Sequence, residues 1–284
     1  TTTRNFNTGG NYMYNGVATQ STGNGLPSSV NNLVIANSTG VNLSAATSVN
    51  GTLTLTSGTL TTGSNTLTIS GSAPSLGTGN VNASSGTVTF SNASGFTLPS
   101  SLFTGNINNM NVTGAGTVSI GGSYNVAGTL NVANGSALTL GTNTLTGVSG
   151  AFGAGTGTIS LDDLSQVSGF SNTFAGTYSL TGTNPNIPAA TYPGLTIGSG
   201  GATLTGTVTV DALTINGTLT VGANTLRIGN TSPVRTSGGV DATNSSAVVE
   251  FTNTSTITLP ASLFTGNIST LTITGSGLIN AGQN

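Results

Sequence analysis

Along residues 51–70, GTLTLTSGTLTTGSNTLTIS, the apolar positions come in pairs one residue apart, Leu53 with Leu55 and Leu67 with Ile69. Leu60 is the only other apolar residue there, and Thr, Ser, Gly and Asn fill the rest. Alternation with a period of two marks a strand with one buried and one solvated face. The same figure returns as Val41/Leu43, Val88/Phe90, Met110/Val112 and Val118/Ile120. Later it becomes Leu195/Ile197, Ala202/Leu204, Val208/Val210, Leu213/Ile215, Leu219/Val221 and Leu226/Ile228. These last pairs begin five to seven residues apart. Three such steps, roughly 18–21 residues, suit one coil of a solenoid with three short strands per coil.

The expected fold is therefore all-β, a parallel β-solenoid (β-helix) in which each short strand is followed by a Gly, Asn or Ser corner. Corners with φ > 0 favour Gly and Asn, and β-branched Thr and Val suit a pleated strand. A helical bundle is excluded, because Gly, Thr, Ser and Asn dominate every window. The apolar pairs are expected to face inward and stack on their equivalents one coil away, at roughly 4.8 Å. Thr, Ser and Asn then form uncharged ladders outside.

A longer repeat lies over this one. FTLPSSLFTGNINNMNVTGAGTVSI (96–120) returns as ITLPASLFTGNISTLTITGSGLIN (257–280), and GSNTLTISGSAP (63–74) as GANTLRIGNTSP (222–233). The anchors VNNLVI (30–35), INNMNV (107–112), YPGLTI (192–197) and ISTLTI (268–273) suggest one continuous solenoid over 1–284. Its internal repeats would span about 30–106, 107–191 and 192–267, with partial repeats at 1–29 and 268–284. Such self-similarity predicts an array in which each unit buries its apolar face against its neighbours.

Charge narrows the function classes. Only 3% of residues are charged, against about 25% in ordinary domains. Lys, His, Cys and Trp are absent, and the cations are Arg4, Arg227 and Arg235. No basic stripe for nucleic acid results, and no apolar run approaches the roughly 18–20 residues of a membrane helix. Serine–histidine, cysteine–histidine and lysine-based catalysis are excluded, as are ordinary zinc sites. Carboxylates remain at Asp162, Asp163, Asp211, Asp241 and Glu250. The adjacent Asp162 and Asp163 in SLDDLSQ (160–166) are the candidate for a single bound cation; otherwise they are polar turn residues. No enzyme activity, no cofactor and no other metal site is expected. Asn-X-Ser/Thr sequons at Asn37, Asn92, Asn111 and Asn267 carry little weight in a chain so rich in these residues.

The stretches LPSSVNNLVIANSTGVNLS, NGTLTLTSGTL and ATYPGLTIGSGGATLTGTVTVDALTINGTLTVGANTLRI resemble the β-strand repeats of very large secreted surface proteins of bacteria, of Bacteroidota type. That resemblance implies an extracellular or cell-surface, adhesin-like or structural role. It also implies a C-terminal sorting domain, which residues 1–284 do not include.

The first and last segments predict unpaired strand edges, with Tyr12 and Tyr14 in NYMYNG at one and Leu271, Ile273, Leu278 and Ile279 at the other. Unpaired edges invite axial pairing. The function expected is an extracellular structural protein that assembles head-to-tail with copies of itself into a filament or surface fibre. Its other partners would be surface polymers or glycans, with no nucleic acid and no membrane insertion. The alternative is a stalk segment of a large cell-surface adhesin. A rival of another class is an ice-binding solenoid, with outward Thr arrays.

Overall fold

The computed structural model describes residues 6–282, so Arg4 and the outermost parts of the two partial repeats lie outside the described residues. The chain is a parallel β-solenoid of about 13 turns. Among the described residues there are only two short 3-10 turns and no α-helix. Residues 6–157 and 167–172 form one compact unit, and residues 158–166 and 173–282 form another.

In the first unit each early coil visits three stacks of strands in turn. Asn11–Tyr14, Asn32–Ala36, Leu53–Ser57 and Ser75–Leu76 form one side. Gln20–Ser21, Val41–Asn42, Thr59–Thr61 and Asn80–Asn82 form the second. The third runs from Ser29–Val30 through Thr47–Val49, Thr66–Ile69, Thr87–Phe90, Asn109–Val112 and Thr129–Val132 to Ala151–Phe152. Pairing is parallel and in register, so Leu67, Val88, Met110 and Leu130 form one inward column. Ile69, Phe90, Val112 and Val132 form the next, and all eight are wholly buried. Each such side chain contributes about 1.5–3 kcal/mol by leaving water.

The second unit repeats the plan with a variation at its corners. Ala190–Ile197 and Val208–Ile215 are eight-residue strands. Each bends from one side to another: residues 208–210 pair with Thr225–Ile228, while Thr214 and Ile215 pair with Val234 and Arg235. The corner expected between Val208/Val210 and Leu213/Ile215 is thus crossed by a continuous strand, without a glycine turn.

The anchors do not fall on equivalent sides. VNNLVI feeds the strand Asn32–Ala36, on the first side, whereas INNMNV feeds Asn109–Val112, on the third. In the second unit, 194–197 pairs with Thr177–Leu180, and Thr270–Ile273 pairs with Val248–Phe251. The step from VNNLVI to INNMNV is therefore not a whole number of coils.

One corner shows why glycine is required. Gly58 has φ +74°, and a Cβ there would lie 1.9 Å from the Asn37 carbonyl oxygen. Left-handed backbone and a close coil-to-coil approach coincide, and only a residue without Cβ satisfies both.

Candidate assembly face

The last described coil carries the strand Thr270–Ile273 and then Ile279–Ala281. Leu271 and Ile273 lie in register on Val249 and Phe251, in the inward columns of the second unit. They are nevertheless 51% and 58% exposed, and Leu278 is 68% exposed. Ile279, paired with Ile257, is half-buried.

The repeat supplies a direct comparison. Met110, Val112 and Val118 are the sequence counterparts of Leu271, Ile273 and Ile279, and all three are wholly buried. Leu130 and Val132 cover the first two, and Leu138 covers Val118. The same local structure is closed in one unit and open in the other.

Among the described residues, the strand Asn11–Tyr14 is paired along one edge only. Tyr12 and Tyr14 stack on Leu33 and Ile35 and are half-buried. Their hydroxyls donate to the carbonyls of Asn7 (2.8 Å) and Thr22 (3.4 Å). Burial pushes the Tyr14 phenol up, and the neighbouring Tyr12 adds to that. Gln20 takes the inward position over Val41 on the next side. Its Oε1 accepts from Gly16 N at 2.9 Å and from Asn37 Nδ2 at 3.0 Å. This edge is therefore amphipathic, whereas the other is bare aliphatic. Gln20 was not singled out from sequence; its signal is a polar residue where the pattern calls for an apolar one.

All five carboxylates are engaged in their own corners or with an adjacent coil. Asp162 accepts from Thr181 Oγ1 at 2.9 Å, and Asp163 from Ser165 N at 2.8 Å. Both of their backbone N–H groups donate to Gln166 Oε1. The Ser165 side chain, then its backbone, holds the Asp163 carboxyl below its usual range. Asp211 accepts from Asn230 N, and Asp241 from Thr243. Glu250 meets Arg227 Nε at 2.6 Å. No group of three or more His, Cys, Asp or Glu that could hold a metal occurs among the described residues.

No family model, curated protein or solved structure matches the chain. Among the described residues, no helix is long and apolar enough to cross a membrane. The sequon asparagines Asn37 and Asn92 are wholly buried in corners, where their amides bond backbone carbonyls. The duplicated Phe90 and Phe251 are buried, while Phe103 and Phe264 are half-buried.

Proposed function

We propose that the chain is an extracellular or cell-surface structural protein that adds head-to-tail to copies of itself, forming a filament or surface fibre. The carrying observation is a stack of parallel, in-register coils whose inward pairs are covered by the equivalent pair of the adjacent coil, as Met110 and Val112 are by Leu130 and Val132. A parallel strand edge that presents apolar side chains in register favours a further parallel coil over an unrelated surface. Contacts that do not close produce an open filament. The resemblance to β-strand repeats of secreted bacterial surface proteins of Bacteroidota type supports the same setting, as does a composition that keeps nearly all charge off the molecule.

Electron microscopy of the purified chain at neutral pH tests this reading. Uniform filaments are expected from the native chain, with at least a tenfold drop in filament mass for Leu271→Asp/Ile273→Asp. Isolated particles at high concentration would sink it.

One observation favours ice as a second reading. Thr66/Thr68, Thr87/Thr89, Asn109/Asn111 and Thr129/Asn131 lie in register on four successive coils, giving two parallel columns of uncharged polar groups. The segment NMNV, which interrupts Thr-X-Thr in sequence, thus continues the columns in space. Freezing hysteresis in the native chain, lost in Thr87→Tyr/Thr89→Tyr, would support this reading.

A further inference from the structure

Asn-Gly pairs stand at Asn15, Asn24, Asn50, Asn134 and Asn216, and nothing in the sequence ranks one above another. Such a pair is chemically special. Because glycine has no side chain to obstruct the approach, its backbone nitrogen can reach the Cγ of the preceding asparagine amide. That reaction needs a glycine N–H free of hydrogen bonds and an amide free to swing onto it.

The coils hold four of these pairs. Gly16 N donates to Gln20 Oε1 at 2.9 Å. Gly51 N donates to Asn31 O at 2.6 Å, and Asn50 Nδ2 to Ser29 Oγ at 2.9 Å. Asn216 Oδ1 accepts from Thr236 Oγ1 at 2.6 Å. Its glycine, Gly217, is buried so closely that a Cβ would lie 2.2 Å from Gly198 O. Asn24 sits inside the 3-10 turn Gly23–Gly25, with the Phe6 ring 3.5 Å from where a Gly25 Cβ would be.

Asn134–Gly135 differs on every count. The pair forms the tip of a corner closed by Ser136 N donating to Ala133 O at 3.0 Å. Both residues are exposed. Gly135 has φ +77°, and a Cβ on it would meet nothing within 4 Å. Neither Gly135 N nor the Asn134 amide has a hydrogen-bond partner among the described residues. A depression of about 180 Å³ opens between this corner and Thr113, Gly114 and Ala115 of the preceding coil. It leaves room for the amide to turn and for water to enter.

We propose that Asn134 is a modification site, deamidated by its own backbone without an enzyme. The Gly135 nitrogen attacks Asn134 Cγ and forms the new C–N bond of a five-membered succinimide. The side-chain nitrogen leaves as ammonia, taking the Gly135 proton with it. Water then adds to one ring carbonyl and opens the ring, to aspartate or to isoaspartate, with nothing oxidised or reduced. Isoaspartate routes the main chain through the β-carbon, so the corner lengthens by one bond.

The product also changes the electrostatics. Residues 5–161 contain no Asp, Glu, Lys or Arg. A carboxylate at Asn134 is thus the first charge among the described residues of the first unit, and the formal net charge moves from −2 to −3. This chemistry is independent of whether the chain assembles.

Hydroxylamine intercepts a succinimide and cleaves the chain there. At mildly alkaline pH the native chain should yield fragments 1–134 and 135–284 at least tenfold faster than any cut after Asn50 or Asn216. In denaturant, where the corners are lost, the three sites should cleave at comparable rates. Without hydroxylamine, ageing should move the native chain one charge towards acid in isoelectric focusing. Asn134→Ser should remove that shift, and Asn50→Ser should leave it. No cleavage after Asn134 in the native chain, cleavage there no faster than after Asn50, or an acidic shift that survives in Asn134→Ser would each overturn the assignment.

Discussion

Asn253 occupies in the second unit the place that Asn92 occupies in the first. Each follows an inward phenylalanine by two residues, is wholly buried, and gives its amide nitrogen to a backbone carbonyl two residues on. Asn253 also donates to Leu278 O at 3.2 Å, tying its corner to the next coil. The Oδ1 of each accepts no hydrogen bond from the described residues. A buried amide held by its donor side alone makes a sharp prediction, because the donor is what the corner requires.

Asn92→Ala should cost about 1–3 kcal/mol by leaving the Ser94 carbonyl unpaired. Asn92→Asp should cost more at neutral pH, because an ionised carboxylate presents only acceptors to that carbonyl. Burial and this repulsion raise its folded pKa above the unfolded value, so stability should return as pH falls and the acid regains a donor. Denaturant titrations of both variants at pH 3.5 and 7 check this; an Asp variant as stable as native at pH 7 contradicts it.

Gly58→Ala should be far more damaging than Gly135→Ala. Both have positive φ, +74° and +77°, but an added Cβ meets the Asn37 carbonyl at the first and nothing within 4 Å at the second. Gly135→Ala should therefore cost about 1–3 kcal/mol from backbone conformation alone. Gly58→Ala should add a coil-to-coil clash and populate little folded chain. Soluble expression and thermal melts separate the two.

Leu67 and Thr68 are neighbours on one strand, facing opposite ways. Leu67→Ala should cost about 2–5 kcal/mol by opening a cavity in the column between Thr47 and Val88. Thr68→Ala should stay within about 0.5 kcal/mol. Equal losses in chemical denaturation would overturn the inward–outward assignment.

Stability should be nearly flat from about pH 5 to 9, because no His, Lys or Cys is present to titrate. Burial pushes the Tyr124 and Tyr192 phenols up to about 12. Tyr178 is raised further, by burial first and then by Tyr192. Above about pH 10 an unfolded chain sheds these protons while the folded chain keeps them, so stability is lost as pH rises from about 10 to 12. At the acid end, the Arg227 hydrogen bond, then Thr274, holds Glu250 low. Its small contribution is present above about pH 4.5 and fades as pH falls. Melting curves across pH 4–12 check both limbs, and a step near pH 7 would contradict them.

Much of this fold is local and therefore legible in the chain. Leu53/Leu55, Met110/Val112 and Leu226/Ile228 face inward because side chains alternate along any extended backbone, whatever lies next to them. Gly and Asn corners follow from φ > 0, and the lack of His, Lys and Cys is read directly. The candidate face was half legible: Leu271 and Ile273 read as one more inward pair, indistinguishable in pattern from Met110 and Val112. How far each pair is buried depends on the coil that lies on it, which the pattern alone does not carry.

Alternation, the two-residue period and the corner chemistry came from sequence alone, since each depends on a few consecutive residues. Tertiary structure decided which strand lies on which, as when VNNLVI and INNMNV fall on different sides and Val208–Ile215 turns a corner unbroken. Register in a solenoid is the sum of every intervening corner length, and strands built from the same few residue types carry little information to fix it locally.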